Sequence, residues 1–96
     1  MAVLVVLDFP VTPEQYDEAR RTVRWEEEAP AGGMFHVAAA TEGGMQIVDV
    51  WESADDFNRF VEERLMPGLQ SIGITAQPTV KILPAHRIFT PGYNPK

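Results

Sequence analysis

His36, Asp49 and Trp51 sit in two neighbouring apolar runs, FHVAA and GGMQIVDVW. A carboxylate beside an imidazole can orient the ring and balance its charge, so that a ring nitrogen shuttles a proton near neutral pH. An indole at the same place offers a flat surface on which an aromatic ring can stack. Each residue also has a plainer reading. Asp49 can serve as a hydrogen-bond or ion-pair partner across an interface, Trp51 as packing, and His36 as either. The second histidine, His86, lies in a later apolar stretch. Two histidines and Asp49 could in principle ligate a metal, but their spacing matches no metal motif, and no metal is expected. Arg87 and Lys81 flank His86 and read best as solvated charges on a sheet edge. Glu26, Glu27 and Glu28 read as a solvated run. No phosphate loop, nucleophile elbow or dinucleotide fingerprint occurs.

These residues need elements to position them. Val3 to Phe9 is a β-branched apolar run and predicts a first strand. Thr12, Pro13 and Gln15 form a helix start with a capping box, and Tyr16, Ala19 and Val23 recur at helical spacing on the face that should meet a sheet. Asp17 and Arg21 are spaced for a surface pair. The helix should fade near Arg24 or Trp25, before the breakers Pro30, Gly32 and Gly33. Met34 to Glu42 and Met45 to Glu52 predict a hairpin turning on Gly43-Gly44. Ser53 caps a second helix whose apolar stripe is Phe57, Phe60, Val61 and Leu65, ending or kinking at Met66-Pro67-Gly68 with a short extra turn, and stopped by Gly73. Pro78 to Phe89 predicts a long fourth strand interrupted by Pro84, hence an edge strand. The order β-α-β-β-α-β implies an α+β, ferredoxin-like fold: a four-stranded antiparallel sheet with both helices on one face. Residues 1–90 form one domain on this reading, and 91–96 a tail in which Tyr93 could close a pocket or clasp a partner.

A turn at Gly43-Gly44 would pair Ala40 with Ile47, Ala38 with Asp49 and His36 with Trp51. Paired residues share a face. The opposite face carries Phe35, Val37, Ala39, Val48 and Val50, and being uniformly apolar it is expected beneath the helices. The face with Met34, His36, Ile47, Asp49 and Trp51 is then expected on the helix-free side, covered by a second subunit that encloses a pocket.

Composition narrows the partners. The chain has 96 residues, no cysteine and a formal net charge of -6. An acidic domain without a basic stripe is a poor partner for nucleic acid or an anionic membrane. The opening MAVLVVLDF lacks a basic lead and is interrupted by Asp8, so it reads as a strand rather than a signal peptide. A cytoplasmic location is expected.

The pattern VVLDF…VTPEQYDEAR…FHVAA…GGMQIVDVWESADDFNRFVEERL…P resembles the dimeric α+β barrel superfamily, in its antibiotic-biosynthesis-monooxygenase-like branch. The resemblance spans nearly the whole chain and is most specific in DVWESADDFNRFVEER. It implies a homodimer in which two ferredoxin-like units form a barrel. It also points to a pocket for a small aromatic or polyketide-like ligand, oxidised without cofactor; the residues read above then supply His36 and Asp49 as the candidate catalytic pair and Trp51, Met34, Ile47, Asp8 and His86 as candidates around the substrate. The heme-degrading branch places a ligating histidine on the second helix. None occurs in SADDFNRFVEERL, so heme is not expected, nor is any other cofactor. Two other readings use the same fold: a non-catalytic ligand-binding or stress-related dimeric module, and an interaction domain whose cavity is filled by Met34, Ile47 and Trp51. An open cavity speaks against the last.

Overall fold

The computed structural model describes residues 1–92; Tyr93 lies outside them. Four strands form one antiparallel sheet in the order β2-β3-β1-β4. They are β1 (Val3–Phe9), β2 (Gly33–Thr41), β3 (Gly44–Trp51) and β4 (Thr79–Pro84). Helix α1 (Pro13–Val23) follows β1, while α2 (Ala54–Phe60) runs through a π-helical turn (Val61–Leu65) into α3 (Met66–Ser71). This is the ferredoxin-like α+β arrangement, with β2 and β4 at the edges.

Local chemistry sets the boundaries. Thr12 accepts from the backbone N–H of Gln15, and the Gln15 side chain accepts from the backbone of Thr12, so both ends of the capping box are made. α1 stops at Arg24, which adopts the left-handed conformation with φ 63°. The Arg64 guanidinium reaches across from the π turn to the carbonyls of Val23 and Arg24 at 3.1 and 3.4 Å, satisfying acceptors that the helix end leaves free. Asp17 pairs with Arg20 at 3.7 Å rather than with Arg21. Ser53 caps α2 through the N–H of Asp56.

Three expectations are corrected. The hairpin turns on Glu42-Gly43, because Thr41 pairs with Gly44. Only Gly44 of the two glycines takes a positive φ, 140°, and a side chain there would run into the Phe9 carbonyl and the Pro10 backbone. The register consequently moves by two residues, so that Ala38 pairs with Ile47 and His36 with Asp49. An irregularity between Gly33 and Phe35 leaves Met34 as the extra residue of a bulge. β4 is shorter than expected and ends at Pro84, whose missing N–H falls on the open edge, and one further bond, from the Ala85 N–H to the Ala2 carbonyl at 2.9 Å, follows it.

The largest correction concerns the faces. Val3, Val5, Leu7 and Phe9 of β1, and Met45, Ile47, Asp49 and Trp51 of β3, are buried together with Tyr16, Ala19, Phe57 and Leu69 of the helices. The face bearing His36, Asp49 and Trp51 is therefore the one beneath the helices. The other face, with Phe35, Val37, Val48 and Val50, is the open one. The open face also carries Asp8, Gln46 and Lys81, whereas the covered face offers larger apolar side chains and its polar groups find hydrogen-bond partners within the chain.

Candidate functional site

The bulge in β2, the end of β3 and the N-terminal half of α1 bring four side chains into one chain of hydrogen bonds. Asp49 and His36 are direct cross-strand partners, and His36 Nδ1 lies 2.7 Å from Asp49 Oδ1. Trp51, two residues along the same face, donates its indole N–H to Asp49 Oδ2 at 3.1 Å. On the far side of the imidazole, Nε2 lies 2.6 Å from the Tyr16 hydroxyl. An ionised carboxylate only accepts, so Asp49 fixes the neutral imidazole with its proton on Nδ1, and the Tyr16 O–H then donates to Nε2.

Asp49 is only 6% exposed, and both of its oxygens are used by these two donors. A buried carboxylate would otherwise carry a large desolvation cost. The pair is not sealed, since the His36 side chain remains 34% exposed. The Tyr16 and His36 rings are nearly parallel, at 7° with centroids 6.1 Å apart, and Trp25 tilts against both at 5.6 Å. Burial pushes the Tyr16 hydroxyl up to about 12, with smaller upward contributions from the Glu26 and Asp49 carboxylates and a downward one from Arg20. Tyr16 is therefore held protonated, as a donor. The indole N–H of Trp25 is buried and has no hydrogen-bond partner among the described residues.

This chain forms part of the wall of a cavity of about 390 Å³. Its floor is the helix-covered sheet face at Leu7, Phe9, Ile47 and Trp51, and its sides come from α1, α2 and the segment between α1 and β2. Trp51 is itself braced by Phe57 and Phe60, with ring centroids 5.6 and 5.5 Å away. Such a volume lies within the range of small-molecule sites. The lining is mainly apolar, with the polar atoms of Tyr16, His36, Asp49 and Glu26 along one side.

Of the residues singled out in the sequence, His36, Asp49, Trp51, Met34 and Ile47 all line this cavity. Asp8 does not: it points from the opposite sheet face and accepts from Gln46 at 3.1 Å. His86 is exposed beyond the end of β4 and does not reach the cavity either. The sheet face that lines the cavity is covered by this chain's own helices, where a second subunit was expected to cover it. Among the described residues, no three histidine, aspartate or glutamate side chains gather as a metal site, and no helix is long and apolar enough to cross a membrane.

Sequence reasoning placed Tyr16 on α1's buried stripe and gave it no chemistry; Trp25 and Glu26 were likewise left out of the site. A signal for Tyr16 existed. A tyrosine on a buried helix stripe needs a partner for its hydroxyl, and His36 is one of few acceptors on the facing sheet.

No protein-family model matches the chain, and no curated protein sequence matches it. Solved structures do. The chain is similar to SnoaB, a cofactor-independent oxygenase from Streptomyces nogalater, in a mutant form, with TM-score 0.64 at 17% identity over 91% of this chain and 95% of that one. A Caulobacter crescentus protein provisionally assigned as an antibiotic biosynthesis monooxygenase gives TM-score 0.65 at 14% identity, covering 90% and 91% of the two chains. Rv0793 from Mycobacterium tuberculosis gives 0.62 at 14% identity, covering 94% and 100%. The chain thus shares the ferredoxin-like α+β fold of these solved structures.

Proposed function

We propose that this protein is a small homodimeric oxygenase that oxidises a hydroxylated aromatic or polyketide-like substrate with molecular oxygen and no cofactor. The observation that supports this reading is the Tyr16–His36–Asp49–Trp51 chain in the wall of an apolar cavity. The reaction needs little more from a protein than a dry pocket and a base. A phenol and dioxygen give a quinone and water, so one oxygen atom enters the ring, the other leaves in water, and the substrate supplies all the electrons.

The residues divide the work. A substrate hydroxyl that approaches Tyr16 gives its proton to the Tyr16 oxygen as the Tyr16 proton passes to His36 Nε2. The imidazolium so formed is balanced by Asp49, whose second oxygen is held by Trp51. Tyr16, still protonated, donates to the new phenolate and stabilises its charge in the low-dielectric cavity. Ile47, Met34 and the face of Trp51 pack on the ring. That SnoaB, which shares the fold, is a cofactor-independent oxygenase supports this choice over the other chemistries that the fold accommodates.

The homodimer is read from the open sheet face. Val37 and Leu83 are 46% and 44% exposed there, beside the half-buried Leu4, Val6, Val48 and Val50. Two such faces packed together form the α+β barrel.

Oxygen consumption tests the proposal. In chelator-treated buffer with a hydroxynaphthalene or hydroxyanthracene, the protein should take up oxygen and form one quinone per oxygen consumed, and His36→Ala should abolish the uptake. A ligand that binds without oxygen uptake would instead leave the non-catalytic binding module as the reading.

A further inference from the structure

The cavity walls carry two carboxylates, Glu26 and Asp49, and neither a lysine nor an arginine among the described residues. Only one of the two carboxylates is engaged by donors within the cavity. Asp49 spends both oxygens on His36 and Trp51. Glu26 stands where the chain leaves α1, its side chain 61% exposed, and its nearest cation is Arg20 at 3.8 Å. Arg20 does not line the cavity. The Glu26 charge is felt inside, since it helps to push the Tyr16 hydroxyl upward. A ligand bearing a carboxylate or phosphate would leave water for a wall with negative charge and no fixed cation. The one cation the wall can offer is imidazolium at His36, and His36 gains that proton from the ligand itself.

We propose that Glu26 is a specificity-determining residue that filters ligands by charge, admitting uncharged hydroxylated aromatics and turning away those that carry a carboxylate or phosphate. This inference rests on the proposed pocket function and narrows its substrate class. Substrates held as acids, thioesters of phosphorylated carriers or sugar phosphates fall outside it. The substrate arrives neutral, and its first charge is created within the cavity. The reaction that supplies it must therefore release a free neutral phenol, as an aromatising cyclisation or a decarboxylation does.

Two probes of the same size isolate the charge: 6-hydroxy-2-naphthamide and 6-hydroxy-2-naphthoate, titrated into the full chain by calorimetry at low salt. The amide should bind about 10-fold more tightly than the carboxylate, the order expected for one like charge near the site at an intermediate dielectric. Glu26→Gln should bring the two within about 3-fold, and Arg20→Gln, which leaves Glu26 without its cation, should widen the gap. Glu26 is a surface side chain, so its replacement should leave the thermal midpoint unchanged. Equal binding of both probes to the wild type, or a ratio that Glu26→Gln does not move, overturns the filter while leaving oxygen uptake with neutral phenols intact. Failure of both probes to bind overturns the filter together with the pocket on which it rests.

Discussion

The sheet carries one carboxylate on each face, and the fold treats them in opposite ways. Asp49, on the helix-covered face, is buried and holds a histidine with one oxygen and an indole with the other. Asp8, on the open face, is exposed and accepts from the Gln46 side chain. The residue type is the same and both sit on strands. The difference lies in what surrounds them: donors fixed by packing make a buried charge tolerable and give it work, whereas water does the same for Asp8 without assigning it any. A carboxylate thus acquires chemistry here from the side of the sheet on which it lies.

The largest effect should come from the atom that the chemistry uses. His36→Ala should lower the oxygenation rate by about 10²–10⁴-fold, the usual contribution of a positioned base. It should also cost about 1–3 kcal/mol of stability, because it leaves one oxygen of the buried Asp49 carboxylate and the Tyr16 hydroxyl without their partner. Stopped-flow oxygen uptake and urea denaturation on the same preparation measure the two quantities. An inactive variant with a greatly lowered urea midpoint would mean that the buried network serves the fold more than the reaction.

Next comes the buried carboxylate. Asp49→Ala leaves the N–H of Trp51 and Nδ1–H of His36 without acceptors and should destabilise the protein by about 2–4 kcal/mol. Asp49→Asn retains an acceptor for one of them and should cost less. Urea midpoints for the two variants decide the matter. Equal costs would show that the charge, rather than the hydrogen bonds, is what the site requires.

How much of this was legible in the sequence depends on the kind of information needed. The elements, their order and both helix caps follow from local patterns, and the Thr12 and Ser53 caps are where the residue types put them. The grouping of His36, Asp49 and Trp51 on one face survived a wrong turn because the register error was two residues, and an even shift preserves the faces. Which face met the helices was not legible. Alternation divides a strand into two sets but does not say which is covered, and Asp49 and His36 argued for the uncovered side. Their partners, Tyr16 and Trp25, lie on and just after a helix, and only tertiary packing brings them within 2.6 Å and 5.6 Å of the histidine.

Tyr16 gives a pH test of that packing. Its hydroxyl is raised from 10.0 to about 12 in the folded protein. Below pH 10 both folded and unfolded states keep the proton, and the contribution is fully present. Between pH 10 and about 12 the unfolded chain releases its proton while the folded one retains it, so stability falls as pH rises. Tyr16→Phe should flatten this part of the pH–stability curve relative to wild type, as measured by urea midpoints from pH 9 to 12. An unchanged slope would place the Tyr16 hydroxyl in water rather than on His36.

The smallest effect is expected on the open face. Asp8→Ala removes an exposed carboxylate and one hydrogen bond from Gln46, and should change stability by no more than about 0.5 kcal/mol. The same variant examined at two protein concentrations sharpens the contrast with Asp49. If open faces pack together in the proposed dimer, Asp8 near the end of β1 remains at the margin of that contact, and the small effect should persist as concentration rises. A cost that grows with concentration would mean that Asp8 is enclosed between subunits. Its face would then be as selective about a carboxylate as the one beneath the helices, and the distinction between the two faces would belong to the isolated chain alone.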